Sequence, residues 1–578
     1  MTDEMKKLGF KCGMEIHQQL LTEKKLFCRC PAGLYSTDHH AEVLRHMRPT
    51  LSEMGVYDGC ALMEFKTKKD ILYLLNKKTV CTYEMDDTPP FPINQQALDV
   101  AIEIALLTGC SIVDEMHIAR KQYLDGSIPT GFQRTGIVGI NGSIPFGNKK
   151  IEVTQLSIEE DSCRERSDDK HLIKFRTDRL GMPLIEVVTD ACFKTPEEAG
   201  EGVRHIGRLL RATGHVRRGL GAVRQDVNVS IEGGSRVEIK GVPRYQLIPA
   251  LTRNEALRQK ALLDIRKELK KRKLTKDNLK FFDCDLTDEL KNSASPPLRD
   301  AIRNGHRIRG IKFEKLSGIL RHPTQPGKTF ASELAGRVRV IACLDEIPNI
   351  YHTDSYPEYP RNHIDLKTLR LSLKLNCDDS DVGIVVWGPD ADTVTAINEI
   401  RNRIFEAFDG VPCETRQSLR NGLSDFERIL PGADRMYPDT DHPPVRIAND
   451  RVLKIKDALP EPTYEVEKRL EEHGVPKDTL KSLAISDYIA LIDKLHKEGR
   501  DMKLVGRILG QTVRSLKRQG VESDKVTGDR WAELITACDE KKIPSKHIEG
   551  LVTNLVAYPE RSVEDIVLSV CEKIPAPS

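Results

Sequence analysis

Three separated stretches of this chain alternate apolar and polar residues with the two-residue period of a strand, a fourth is an apolar run, and each carries a carboxylate. In KCGMEIHQQ, Cys12, Met14 and Ile16 share one face, leaving Glu15 and His17 on the other. In RQDVNVSI, Val227, Val229 and Ile231 oppose Arg224, Asp226 and Asn228. RVEIK sets Val237 and Ile239 against Arg236, Glu238 and Lys240, while PLIEVVT embeds Glu186 in an otherwise apolar strand. An unpaired carboxylate there is costly. A fold that buries these apolar faces must put several acidic groups on sheet surfaces. Converging acids repel one another unless cations neutralise them.

Taken singly, each of these acids is accounted for by a surface ion pair. Taken together they point to hard-oxygen ligation of magnesium, which among carboxylates usually accompanies phosphate. SIEED adds Glu159, Glu160 and Asp161, whose alternation does not choose the pointing residue.

Composition bounds the rest. The 578 residues suggest roughly four domains at about 150 residues each. Lys+Arg 89 against Asp+Glu 87 leaves +2, so any nucleic-acid contact must come from local patches. No apolar run approaches a membrane span, the start MTDEMKKLGF lacks the apolar core of a secretory signal, and 14 scattered cysteines suit a reducing compartment. The expectation is a cytoplasmic protein with no membrane contact.

The first ~260 residues read as short strands separated by turns. One marked helix starts at Thr195-Pro196-Glu197-Glu198, carries Val203, Ile206, Leu209 and Leu210, and stops at Gly214. A second helix, NEALRQKALLDIRKELKKRKL, ends near Lys273. From 275 to 409, strand-like GRVRVIACL and VGIVVWG alternate with helical TVTAINEIRNRIFEAF, which reads as an inserted α+β domain. Turn-rich sequence returns over 410–460, and 461–578 is helical throughout. Residues 1–274 and 410–460 thus form one catalytic region interrupted by the insertion.

Common catalytic signatures are missing. HPTQPGKTF ends like a P-loop but has His322 in place of the first glycine, and GLGAVR has Arg224 where a dinucleotide fingerprint needs its third. There is neither a Gly-x-Ser-x-Gly elbow nor an HExxH helix. Cys28, Cys30 and Cys81 offer a zinc cluster with Cys60 as an uncertain fourth ligand. The spacing is not that of paired CxxC knuckles, so buried free thiols are the preferred account. In HKEGRDMKLVGRILGQTVRSLKRQG, Leu504, Ile508 and Leu516 form an apolar stripe. Arg500, Arg507 and Arg514 recur every seven residues beside Lys517 and Arg518, a basic ridge suited to RNA phosphates. Gly506 and Gly510 weaken that helix. Aromatic residues at 5% argue against a base-stacking platform.

GMEIHQQL followed by KLFCRCP, then SIEED, TDRLGMPLIEVVTD, LGAVRQDVNVSI and RVEIKGV, resemble in order the B/E subunits of tRNA-dependent amidotransferases, the GatB/GatE family. YLDGSIPTGFQRT and the ~130-residue insertion select the archaeal type, and the similarity is strong again across DRMYPDTDHPP. The resemblance implies a β-rich cradle-type kinase domain, an insertion like that of bacterial aspartyl-tRNA synthetase, and all-α helical and tail domains contacting tRNA. It implies ATP- and Mg2+-dependent phosphorylation of the γ-carboxylate of Glu-tRNA(Gln), then amination to Gln-tRNA(Gln). The ammonia would come from an asparaginase-like amidase partner, GatD, in a heterotetramer of two GatD and two GatE-type chains. Carried onto matching motifs, the metal ligands are Glu15, His17, Glu160, Glu186, Asp226 and Glu238. Glu15 and His17 serve catalysis, with Lys121 and Tyr123 positioning substrate and Lys240 on a phosphate. A non-catalytic tRNA-binding adaptor and a metal-dependent hydrolase are the competing readings.

Overall fold

The computed structural model describes residues 2–52, 55–355, 366–376, 380–430, 432 and 435–571; Asp434, which opens the DRMYPDTDHPP block, lies outside them. The protein is a mixed α/β multidomain chain. It divides into two compact units, one of Met1–His205 with His215–Asp457, the other of Ile206–Gly214 with Ala458–Ser578.

The first unit is built on an 11-stranded sheet. Its strands are β1 (Lys11–Gln19), β2 (Ile118–Gln122), β3 (Phe132–Phe146), β4 (Lys149–Glu160), β5 (Pro183–Thr189), β6 (Val223–Ser230), β7 (Val237–Val242), β8 (Glu414–Ser418), β9 (Ser424–Ile429) and β10 (Met436–Pro438). Across the sheet they run β9-β8-β7-β6-β1-β5-β4-β3-β2-β10, with Ser111–Ile112 paired to β3. Chain beyond residue 409 therefore supplies both edges. Neighbours on this path are antiparallel except β7 and β8.

The alternation seen in sequence sets the two faces. Cys12, Met14, Ile16, Val227, Val229, Val237 and Ile239 have no exposed surface. The helix Ile248–Lys271 packs on β6, where Gln259 Nε2 donates to the Val229 carbonyl at 3.1 Å. At about 25 cal/mol per Å2 of apolar surface removed from water, this face fixes the register, since a one-residue slip would expose all of it.

The helix Pro196–Ala212 starts where its signals place it. Thr195 Oγ1 accepts from the Glu198 amide at 3.1 Å, but Glu198 reaches back to the Lys194 amide at 2.9 Å rather than to that of Thr195.

Between residues 275 and 409, the strands Phe281–Asp285, Arg307–Phe313, Val382–Gly388 and Ile350–His352 form a separate four-stranded sheet, in that order. GRVRVIACL, expected as a strand, lies mostly in the helix Phe330–Ile341. A capping box of Thr329 and Ser332 opens it, and Leu334, Val338 and Ile341 bury one stripe at helical spacing. Buried Arg337 pairs with Glu406 at 2.6 Å. Caps and stripe outweigh the β preference of its valines. HPTQPGKTF is a short hairpin, not a phosphate loop: Pro323–Gln325 pairs with Lys328–Thr329, and Lys328 meets Asp425 at 2.5 Å.

From Thr463 to Cys571 the second unit contains only helices among the described residues, packed on Trp531, Leu534, Ile508 and Leu555. No helix among the described residues is long and apolar enough to cross a membrane.

Candidate metal centre and its cleft

The polar face of the central sheet gathers the predicted acids. Pairing puts Glu15 opposite Asp226 across β1 and β6, His17 opposite Glu186 across β1 and β5, and Asn228 opposite Glu238 across β6 and β7. Two clusters result, in each of which ligand atoms lie within 4.8 Å of one another: His17, Glu159 and Glu186, and Glu15, Asp226 and Glu238. Both line one cleft of about 270 Å3.

Each cluster is held and balanced from its flanks. His17 Nε2 lies 3.4 Å from Glu186 and 4.0 Å from Glu159. Lys121 Nζ donates to Glu159 and sits 3.8 Å from Glu186. In the second cluster, Lys240 Nζ is 3.6 Å from both Asp226 and Glu238. Asn228 Nδ2 donates to Glu15 at 3.0 Å, the Gly241 amide to Asp226 at 2.9 Å, and Thr415 Oγ1 to Glu238 at 3.0 Å. Tyr123 lines the same cleft under the guanidinium groups of Arg435 and Arg428, 5.2 and 5.6 Å from its ring centre.

Electrostatics record the crowding. Burial, then repulsion from Glu186, Glu238 and Asp226, pushes the Glu15 carboxyl up to about 7. Burial opposes charge on His17, but its bond to Glu186 and the surrounding carboxylates outweigh this and raise it to about 10. Burial likewise opposes ionisation of Glu186 and Asp226. The nearby lysines and His17 nevertheless hold both below the ordinary carboxylate range. Lys121 and Lys240 are raised by the carboxylates that face them, against the cost of burial. The two lysines thus act as fixed counter-charges for a face with more acid than its own cations neutralise. Five carboxylates and an imidazole are the hard donor set that suits magnesium, so the residues present fit that ion.

One expected ligand is elsewhere. Glu160 points to the apolar side of β4, where Tyr83 donates to it at 2.5 Å and the Arg134 amide at 3.1 Å. Glu159 takes its place in the cleft. A signal for this was present: Leu156 and Ile158 are apolar two apart, so Glu160 continues their face and Glu159 the other. Sequence reasoning also missed Gln133, which donates to Glu159 at 3.3 Å, and Thr415, Arg428 and Arg435 from the returning chain.

Cys28, Cys30 and Cys81 meet, with Glu84 and not Cys60 as the fourth group. Three thiols and a carboxylate within mutual reach form a donor set of the kind zinc takes. Cys81 is pushed far down by hydrogen bonds from Cys28 and Cys30, and Lys25 bonds Glu84 at 2.6 Å. Cys60 instead faces Glu64, with Sγ 3.5 Å from its carboxylate.

The basic ridge is not one helix face. Asp501 caps a helix that begins at Met502, so Arg500 precedes it and pairs with Glu540 at 2.8 Å. Residues 506–512 form a π-helical turn, which breaks the seven-residue recurrence. Gly506 and Gly510 are there for close packing, since an added Cβ would fall 2.4 Å from Pro476 and 2.6 Å from Thr479. Ile508 and Leu516 are buried and Leu504 partly so. Arg507 reaches Ser545, Lys517 pairs with Asp524, and Arg507, Arg514, Lys517 and Arg518 are exposed.

The catalytic-domain profile of GatB/GatE proteins matches residues 10–453. Proteins named as the E-type subunit of glutamyl-tRNA(Gln) amidotransferase are similar along nearly the full chain. That of Methanococcus maripaludis is 36% identical over 571 residues, 98% of this chain and 89% of the relative. That of Methanocaldococcus jannaschii is 36% identical over 97% of this chain and 88% of its own length. The Sulfurisphaera tokodaii protein is 38% identical over 95% and 87%. With a catalytic-domain match across most of its length and an acid-lined sheet face inside it, the chain belongs to the GatB/GatE family.

Proposed function

We propose that this chain is the synthetic component of a glutamyl-tRNA(Gln) amidotransferase, converting Glu-tRNA(Gln) to Gln-tRNA(Gln) with ATP. The observation that carries this reading is the pair of adjacent acidic clusters on one sheet face, each countered by one lysine. Magnesium held there supplies positive charge that offsets repulsion between a nucleotide and a carboxylate. Glu15, Asp226 and Glu238 would hold one ion, and His17, Glu159 and Glu186 another. Lys121 and Lys240, already opposite these acids, bind the anionic oxygens that the reactants bring, and Tyr123 orients the substrate.

A γ-carboxylate oxygen of the glutamyl group attacks the terminal phosphorus, and ADP leaves. Ammonia attacks the acyl carbon, phosphate leaves with the bonding pair, and the nitrogen loses a proton. In this reading the first unit is a cradle-type kinase domain carrying an aspartyl-tRNA-synthetase-like insertion. The amidase is an asparaginase-like GatD chain in a two-plus-two assembly, and the helical second unit contacts tRNA.

The test replaces Glu15 with Gln and His17 with Ala, checks folding by circular dichroism and measures tRNA affinity. ATP cleavage stimulated by Glu-tRNA is expected to fall by about 100-fold or more with tRNA affinity kept. Undiminished cleavage in the folded variants removes the metal assignment and favours an adaptor that binds tRNA without turning over nucleotide.

A further inference from the structure

The three carboxylates of the second cluster are tied down in one pattern. Asn228 Nδ2 donates to Glu15 Oε1 at 3.0 Å, the Gly241 amide to Asp226 Oδ1 at 2.9 Å, and Thr415 Oγ1 to Glu238 Oε2 at 3.0 Å. Each acid gives one oxygen to a neutral donor and keeps the other. Among the described residues no hydrogen bond reaches Glu15 Oε2, Asp226 Oδ2 or Glu238 Oε1. Lys240 Nζ stands 3.6 Å from the last two, beyond hydrogen-bond length.

The first cluster is built otherwise. Lys121 donates to Glu159 Oε1, and Gln133 Nε2 to Glu159 Oε2 at 3.3 Å. Glu186 has His17 Nε2 3.4 Å from Oε1 and Lys121 Nζ 3.8 Å from Oε2. Both oxygens of each acid there face a partner. Only the second cluster sets three half-free carboxylates within mutual reach.

Thr415 is the most firmly placed of the side-chain donors. It has no exposed surface and lies directly opposite Glu238 across β7 and β8. Its neighbours Glu414 and Arg416 project to the other face of β8. There Arg416 bonds Glu414 at 2.6 Å and Ser424 Oγ at 2.8 Å, and Arg258 also holds Glu414. The pairing of β8 with β9 shifts by one residue at this point, with Thr415 opposite Arg428 and Arg416 opposite Phe426. The strand is pinned from beneath, and its hydroxyl is held on Glu238.

Counting oxygens separates the hard divalent ions. Calcium takes about six to eight and readily accepts both oxygens of one carboxylate. Magnesium demands a near-ideal octahedron, and the narrow bite of a two-oxygen carboxylate does not fit it. We infer that Thr415 and Asn228 are positioning residues that hold Glu238 and Glu15 to one oxygen each, so that the second cluster selects magnesium over calcium. The inference rests on the metal reading above and adds to it the means by which the ion is chosen.

Ion binding to the full-length protein, without nucleotide or tRNA, tests it. Bound Mn2+ is followed by electron paramagnetic resonance and displaced in separate titrations by Mg2+ and by Ca2+. Thr415→Val and Asn228→Ala each release one carboxylate oxygen, whereas Thr415→Ser keeps the hydroxyl. Melting curves check the folds. In the first two variants, one of the two bound ions should lose Mg2+ affinity by about tenfold while Ca2+ affinity holds or rises. Thr415→Ser should keep the wild-type preference.

An unchanged preference in either of the first two variants, once folded, overturns the inference. So does an equal loss of both ions, which marks a purely structural role. Thr415→Ser behaving as Thr415→Val also overturns it, because the hydroxyl is then not the cause. Wild-type protein that binds neither ion overturns the metal assignment itself, and this inference with it.

Discussion

Glu159 and Glu160 are neighbours in sequence and opposites in role. Glu159 faces His17, Lys121 and Glu186, whereas Glu160 is held beneath the sheet by Tyr83 and by the Arg134 amide. Replacing each in turn separates them. Glu159→Gln should cut magnesium-dependent ATP cleavage on the order of 100-fold with little change in melting. Glu160→Ala should lower stability by about 1–3 kcal/mol, because the Tyr83 hydroxyl and an amide lose their acceptor, while magnesium affinity is kept. The reverse pattern would return the ligand role to Glu160. Glu15, His17, Asp226 and Glu238 were legible because clean alternation in their segments left one orientation. In SIEED the acids are consecutive, and only the apolar pair upstream orients them.

At the scale of elements, a buried ionic cluster joins the helices to the sheet edge that serves the site. Arg258, on the helix Ile248–Lys271, bonds Glu333 of the helix Phe330–Ile341 at 2.9 and 2.6 Å. Arg416 of β8 bonds Glu333 at 3.2 Å and Glu414 at 2.6 Å, and Glu414 precedes the Thr415 that holds Glu238. Burial alone would raise the Glu333 pKa, but Arg258 and Arg416 hold it well below the ordinary value. A depressed folded pKa gives stability that is full above the unfolded value, about 4.3, and is lost as pH falls below it. Glu333→Gln should therefore destabilise by about 3–5 kcal/mol at pH 7, and the gap to wild type should narrow at pH 4. Urea unfolding at both pH values measures this, and a gap independent of pH would refute it. This helix is also where sequence reading failed. Its valines suggest a strand, and neither its cap nor its buried arginine pair is visible in local hydropathy.

For the whole molecule, the second unit is helical as its sequence indicates, but its basic residues are arranged by tertiary packing. Arg514 and Arg518 are exposed near the end of the segment 502–518, whereas Arg500 and Lys517 already face acids. Changing both Arg514 and Arg518 to Ala should weaken Glu-tRNA binding and reduce the magnitude of its log–log salt slope by about 2, leaving tRNA-independent ATP binding intact. An unchanged slope would place the RNA contact elsewhere. The alternating strands, the acids on their polar faces, the helix that opens at Thr195 and the helical second unit are all legible in the order of residues, because period and capping are local properties. Only the assembled fold sets which acids converge, that β9 and β10 become the two edges of the sheet, and that Cys81 and Glu84 meet the remote Cys28 and Cys30. These depend on which strands become neighbours, and strand pairing is selected by burial over the whole sheet and not within any one segment.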